Sequence, residues 1–245
     1  MENFKFYEVG GKVRDELLGL TSKDVDYTVV PSESLLKEIS SAHTMFGVLK
    51  DHLETEGFEL FLVTDDCFTI RAKFPKDHIH SGLVADFVLA RKEIGYIPGT
   101  RTPIVVPGTL EDDLIRRDFT LNAMARDLDG NVIDLFCGME DLKNKVLRTP
   151  LPTKLTFDDD PLRILRAIRF SITKGFSLKY LDYYINNYDY ESKMGVVSTE
   201  RIREELYKCF KHDTFKTLDK LNQYPTLKRY IFENKLMWLK PTMEQ

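Results

Sequence analysis

The hydrophobic pattern of this chain changes period once, near residue 150, and that change limits its architecture more than any other feature. Ahead of it, short runs rich in β-branched and aromatic residues alternate with turns, at 6–9 (FYEV), 25–30 (VDYTVV), 58–63 and 84–89. Helical stretches at 13–18 and 34–39 fall between them. Strands interleaved with helices predict a layered α/β or α+β body. Past the turn at 147–152 (LRTPLP), apolar residues recur at three- and four-residue spacings over 161–173, 178–187, 199–211 and 227–239, which is a helical period. The expectation is an α+β domain at 1–150 followed by an all-helical part at 151–245. The chain shows no internal repeat, low-complexity run or Gly/Ser-rich linker.

With 42% hydrophobic residues the chain can build a real core, so general disorder is excluded. Its 35 basic against 39 acidic residues give a formal charge of −4, which argues against bulk electrostatic capture of nucleic acid. A local basic face remains open to it. Residues 161–180 hold five basic and no acidic side chains, and 201–240 hold ten basic and five acidic. The three cysteines, Cys67, Cys137 and Cys209, form no CxxC pair and support neither a disulfide framework nor a zinc knuckle. The start, MENFKFYEVGG, lacks the pattern of a signal peptide, and no stretch approaches the roughly 18 uncharged apolar residues of a membrane span. A soluble cytoplasmic protein without a membrane partner is expected.

Two constellations carry chemistry. In the first, Gly10-Gly11 ends a strand and is followed by Lys12, Arg14 and a helix-like VRDELLG. Glycines there let backbone amides approach a ligand, and a helix start with an arginine favours an anion such as phosphate. The spacing is neither that of a P-loop nor GxGxxG, so a plain strand-to-helix turn is the blander and commoner reading. Asp24-Val25-Asp26 opens the next strand, where residues two apart share a face and their carboxylates converge. Like charges so close call for a cation, and hard oxygen donors suit Mg²⁺. Asp86 sits inside the apolar run 84–89, where a carboxylate must be paired, bonded, metal-bound or turned to solvent. Three strand carboxylates beside a glycine turn suggest metal-assisted nucleotidyl transfer.

The second constellation begins at 111–125, EDDLIRRDFTLNAMA. Arg116 and Arg117 beside Asp118 can clamp a triphosphate or close a local ion-pair knot, and composition alone favours the knot. Further on, 157–170 reads FDDDPLRILRAIRF, with Pro161 suited to a first helical position and Asp160 to its N-cap. Arg163, Arg166 and Arg169 recur every three residues and trace a stripe along that helix, either a solvated face or a phosphate groove. Cytosine and adenine both present an amino donor beside a ring-nitrogen acceptor, whereas uracil and guanine invert the pair. One carboxylate next to one arginine can therefore take C and A and refuse U and G, a discrimination that reaches about 10⁴–10⁵ in sites of this type.

Taken in order, these residues resemble the class II tRNA nucleotidyltransferases (CCA-adding enzymes) and their poly(A) polymerase relatives. GGKVRDELLG with KDVDY is similar to the family's phosphate turn and metal-binding DxD, RRDFTLNA to its second motif, and DLFCGMEDL at 134–142 to its third. DDPLRILRAIRF resembles the nucleotide-reading neck helix, and STERIREELYK at 198–208 the last neck motif. The resemblance covers about residues 5–210 and implies a polymerase-beta-like head with a mixed β-sheet, then a helical neck and a shortened body. It implies that Gly10, Gly11 and Arg14 meet the incoming nucleotide, that Asp24 and Asp26 bind Mg²⁺, and that Asp86 is the later strand carboxylate. Arg117 would hold the nucleotide, Asp160 and Arg163 would read its Watson–Crick edge, and Arg166 and Arg169 match the remaining neck arginines. The implied reaction adds or repairs the 3′-terminal CCA of tRNA with CTP and ATP, the tRNA 3′-hydroxyl attacking the α-phosphate and pyrophosphate departing.

The chain departs from the family in two places. The neck reads Asp159-Asp160 where Glu-Asp is the common form. Only about 35 residues follow the last motif, so a tRNA-gripping surface would be minimal, supplied by a second subunit in a homodimer, or absent. The connection 65–82 is either a loop that switches C to A addition or ordinary loop variation. Alternatives are a partial-specificity relative (CC-adding, A-adding or poly(A)-forming) and a catalytically idle RNA-binding module. HD-type phosphohydrolase chemistry is disfavoured, because only His212-Asp213 forms an HD pair and no histidine lies between His80 and His212.

Overall fold

The structure, a computed structural model, describes residues 3–21, 25–96 and 103–237. It divides into two compact units, Met1–Met139 and Glu140–Gln245.

In the first unit, β1 (Phe4–Val9) leads through Gly10 into α1 (Gly11–Leu17), then β2 (Asp26–Pro31), α2 (Glu33–Glu38) and α3 (Ala42–Thr55). There follow β3 (Glu59–Thr64), β4 (Thr69–Lys73), β5 (Val84–Leu89), β6 (Arg91–Tyr96), β7 (Pro103–Pro107), α4 (Leu110–Leu114), β8 (Met124–Arg126) and β9 (Val132–Asp134). Seven strands make one sheet in the order β3-β4-β5-β2-β1-β8-β9, and β6 and β7 pair separately. The β2–β5 pairing is parallel and the other pairings of the sheet are antiparallel, so this is the expected α+β fold with a mixed sheet.

Strand alternation decides which residues can form a site. Tyr27 and Val29 of β2, Ile70 and Ala72 of β4, and Ala85, Phe87 and Leu89 of β5 all enter one core cluster with α3. Their neighbours Asp26, Thr28, Arg71 and Asp86 therefore project from the opposite face. Helix α3 seals the apolar face with Ala42, Met45, Phe46, Leu49 and Leu53, spaced three, one, three and four apart, and Ser41 caps it by accepting from Thr44 N at 3.3 Å. Each fully buried side chain of this kind contributes about 1.5–3 kcal/mol.

The 65–82 connection is not a plain loop. It holds a 3₁₀ turn at Asp65–Cys67 and the whole of β4, which pairs with β3 on one side and β5 on the other.

The second unit is built from helices, as expected. After α5 (Gly138–Asn144), which spans the division, come α6 (Thr153–Asp159), α7 (Leu162–Thr173), α8 (Asp182–Asn186), α9 (Tyr190–Lys193), α10 (Thr199–His212), α11 (Thr214–Asn222) and α12 (Pro225–Glu233). Helix α7 buries Leu162, Ile164, Leu165, Ala167, Ile168, Phe170 and Ile172, which leaves Arg163, Arg166 and Arg169 as its half-buried polar line. Helix α10 answers with Ile202, Leu206 and Cys209, and burial raises the Cys209 thiol to about 12, so it packs as a neutral apolar group. The 178–187 stretch is helical only over Asp182–Asn186, with a turn at its start. Among the described residues no helix is long and apolar enough to cross a membrane.

Candidate active site

The site face of the sheet carries Asp26 at the first position of β2 and Asp86 in β5. These two are direct register partners across the parallel pair, so their carboxylates stand on one face about 5 Å apart at the backbone. Asp86 is held by Arg71 in a bidentate pair, Nε to Oδ1 and Nη2 to Oδ2, both at 2.7 Å. Arg71 is its register partner on β4. With Arg71 half-exposed the pair adds little stability, but it fixes the Asp86 carboxylate in orientation. Asp24 lies outside the described residues.

Val9, the last residue of β1, pairs with Asp26, so the turn that follows is delivered to the carboxylate. Gly10 takes φ +71°, the left-handed region that favours glycine, and Gly11 opens α1. A Cβ on Gly10 would stand 3.1 Å from Arg117 Nη1 and 4.0 Å from Asp26 Oδ2. The missing side chain thus leaves a gap walled by a guanidinium on one side and a carboxylate on the other. A Cβ on Gly11 would lie 3.6 Å from Arg14 Nη2.

Arg117 is aimed at that gap by Asp113, four residues earlier across one helical turn. Its Nε and Nη2 donate to Asp113 Oδ2 at 3.1 and 2.9 Å, and Nη2 also donates to Thr28 Oγ1 at 3.2 Å. Thr28 in turn donates to Asp113 Oδ2 at 2.8 Å. Burial of Asp113 opposes its charge, yet Arg117, Arg116 and the Thr28 hydroxyl outweigh it and hold the carboxyl below its usual range. So the arginine pair forms an ion-pair knot as composition favours, but with Asp113 rather than Asp118. Arg116 turns to Glu93 at 3.4 Å.

Asp118 has a different task. It accepts from Phe119 N at 2.8 Å and from Asn122 Nδ2 at 2.9 Å, and the Asn122 carbonyl accepts from Arg14 Nη1. Arg14, only 7% exposed, is also gripped by Asp15 through Nε and Nη2 at 2.8 Å each. RRDFTLNA therefore serves the site twice, presenting Arg117 and fixing Arg14 through Asp118 and Asn122. The DLFCGMEDL segment supports it from below. A Cβ on Gly138 would come 2.3 Å from Thr120 O, and Asp134 accepts from Gly138 N at 2.7 Å and Met139 N at 2.9 Å. Asp113, Asn122 and Gly138 were not singled out from sequence. The one available signal was the i, i+4 spacing of Asp113 and Arg117.

In the second unit the expected reading pair is present with other partners. Asp160 Oδ1 accepts from Leu162 N at 3.1 Å, a cap at the start of α7, and Oδ2 pairs with Arg201 Nη2 at 3.1 Å. Arg163 donates to Thr156 O at 3.2 Å and pairs with Asp159 at 3.1 Å. Arg169 Nε donates to Glu205 Oε2 at 2.6 Å, which ties α7 to α10, and lies 4.7 Å from the Phe170 ring centroid. Arg166 is half-buried in the same line.

Residues 6–148, more than half of the chain, match the model of the poly A polymerase head domain. The chain belongs to that family. Relatives outside the head extend the likeness. A CCA-adding enzyme of Francisella tularensis is 39% identical over 170 residues, 68% of this chain and 39% of that enzyme. An A-adding tRNA nucleotidyltransferase of Aquifex aeolicus is 40% identical over 178 residues, 70% of this chain and 19% of that one. The Thermotoga maritima CCA-adding enzyme complexed with tRNA superposes with a TM-score of 0.67 at 27% identity, over 98% of this chain and 50% of its own. The chain thus spans half or less of these family members.

Proposed function

We propose that this chain is the nucleotide-transferring part of a tRNA nucleotidyltransferase that adds CTP and ATP to the tRNA 3′ end and releases pyrophosphate. The observation that carries this reading is the gap at Gly10, walled by Arg117 Nη1 and Asp26 Oδ2, which is a place for a phosphate oxygen beside a carboxylate face. The donor set fits a hard divalent cation. Asp26 and Asp86 are oxygen donors in register on one face, and two like charges there are stable together only with positive charge between or beside them. Asp24 and Asp26 would hold Mg²⁺, which when bound would supply Lewis-acid assistance to the transfer.

The chain's own groups do the rest. Arg117, oriented by Asp113, neutralises triphosphate charge, and Gly10 and Gly11 let the backbone come close to it. Arg14, braced by Asn122 and Asp15, adds the second cationic wall. Asp160 and Arg163 read the base. A carboxylate offers about four lone-pair sites, so Asp160 keeps capacity for an amino group while it holds Leu162 N and Arg201. Arg163 has five N–H donors, enough for Thr156, Asp159 and a ring nitrogen. The test is incorporation of labelled nucleotide into tRNA across a Mg²⁺ titration. Asp26→Ala should abolish incorporation with the circular dichroism spectrum unchanged, whereas retained turnover would remove Asp26 from the reaction.

A second reading has a specific observation behind it, the 40% identity to an A-adding enzyme. On that reading the same site adds only part of the CCA sequence, and the base pair read by Asp160 and Arg163 is unchanged.

A further inference from the structure

The first unit contains a cavity of about 840 Å³ on the reverse of the catalytic strands. Tyr27 and Phe87 help line it, and they are the residues next to Asp26 and Asp86 along β2 and β5, turned to the opposite face. Their rings stack at 5.3 Å and 8°. Phe74 stacks on His78 at 4.6 Å and tilts against Phe58 at 5.1 Å, so the interior is a nest of aromatic faces. The volume lies within the roughly 300–1,000 Å³ of small-ligand sites.

The polar lining is one-sided. Glu56, Asp77, Asp127 and Asp129 all border the cavity, and Lys5 is the one lysine or arginine among its lining residues. Asp127 is held ionised by hydrogen bonds from the Asn131 side chain and backbone, which lower its pKa. Burial, then His80, lowers the pKa of His78 against a smaller opposing pull from Asp77, so that ring adds an aromatic face and not a positive charge. Carboxylates around stacked rings repel a phosphate backbone and attract a cation, and the negative ring faces attract it further.

We propose that this cavity is a second binding site, separate from the nucleotide site, for a small organic amine with an aromatic or apolar body. The body inserts between Phe58, Phe74 and the Tyr27–Phe87 stack, and the ammonium stays at the carboxylate rim. Charge complementarity selects this occupant over RNA, and the cavity's closed size selects it over a folded partner.

The test is a titration of the 245-residue chain with 2-phenylethylamine, followed by NMR of the histidine and aromatic side chains, against neutral 2-phenylethanol and anionic 3-phenylpropionate. The amine should shift the His78, His80 and Phe74 signals and bind at least ten-fold more tightly than the alcohol, with no shift from the carboxylate. The double variant Asp77→Asn/Asp129→Asn changes only exposed side chains, and it should weaken the amine at least three-fold while leaving the alcohol unchanged. Equal binding of amine and alcohol, shifts confined to other parts of the chain, or no binding of the amine would each overturn the proposal. Concentration-dependent broadening of the same signals without any ligand would assign the cavity to a second copy of the chain, which also overturns it.

Discussion

At Gly10 two demands meet on one α-carbon, a left-handed backbone angle and an empty volume between Arg117 and Asp26. Gly10→Ala should therefore cost about 1–2 kcal/mol of stability from the strained angle. Nucleotide affinity should fall at least ten-fold as the methyl enters the phosphate gap, which calorimetric titration with CTP would read. Asp113 is the next point of leverage, since one buried carboxylate oxygen accepts from both Arg117 and Thr28. Asp113→Ala should destabilise by about 3 kcal/mol, the low end for breaking a buried pair because Arg117 reaches solvent. Its acid dependence has a definite sign. The folded carboxyl titrates below its ordinary value, so its stabilisation is complete above about pH 4 and is lost as pH falls through the depressed value. Wild type should thus lose more stability below pH 4 than Asp113→Asn, as denaturant midpoints against pH would show. Much of this scale was legible in sequence. Gly10, Asp26 and Arg117 stand in short ordered motifs, and the structure brings them together. Asp113 was not legible, because EDD offers three adjacent acids and only the helical turn decides which one faces Arg117. Nor was Arg201, which meets Asp160 across 41 residues of chain.

Among the elements, strand alternation separates the two faces of the sheet, and the motif segments build the site in layers. The β-runs at 25–30 and 84–89 were readable because branched and aromatic residues crowd them. Helix α3 was missed, since Gly47, His43, His52 and Thr44 dilute its apolar line and its five buried residues show a face only once the sheet is present. Strand β4 escaped for the same reason. It is short, and arginine and lysine interrupt it, yet it pairs on both edges. The third motif acts through packing. Gly138→Ala would press a methyl onto Thr120 O, and overpacking of this kind costs about 1–3 kcal/mol. Thr120 lies between Asp118 and Asn122, so the same change should weaken nucleotide binding through Arg14, with the melting temperature and the CTP affinity falling together. Arg14→Ala should lower that affinity with little loss of stability. An unchanged affinity would place Arg14 in a structural role alone.

For the whole molecule, the head places charge for phosphate transfer and the helical unit carries the groups for choosing the base. The two functions should separate by mutation. Arg163→Ala should let UTP and GTP compete with CTP at least ten-fold better while triphosphate affinity changes less than three-fold, as competition assays would measure. The negative total charge of the chain gave no hint of this division, because the cationic line of α7 is local and is partly neutralised by Asp159 and Glu205. What length of tRNA such a chain grips is separate from which nucleotide it transfers, since the groups assigned to transfer and to base choice all lie within residues 10–169. The most direct test of the account is incorporation by the pure chain, with Mg²⁺ and labelled CTP and ATP, on tRNAs lacking three, one or none of their terminal CCA nucleotides. The account predicts C, C and A added in order to the first, A alone to the second and nothing to the third. Incorporation of UTP or GTP as readily as CTP and ATP, or no incorporation on any of the three while nucleotide still binds, would contradict it.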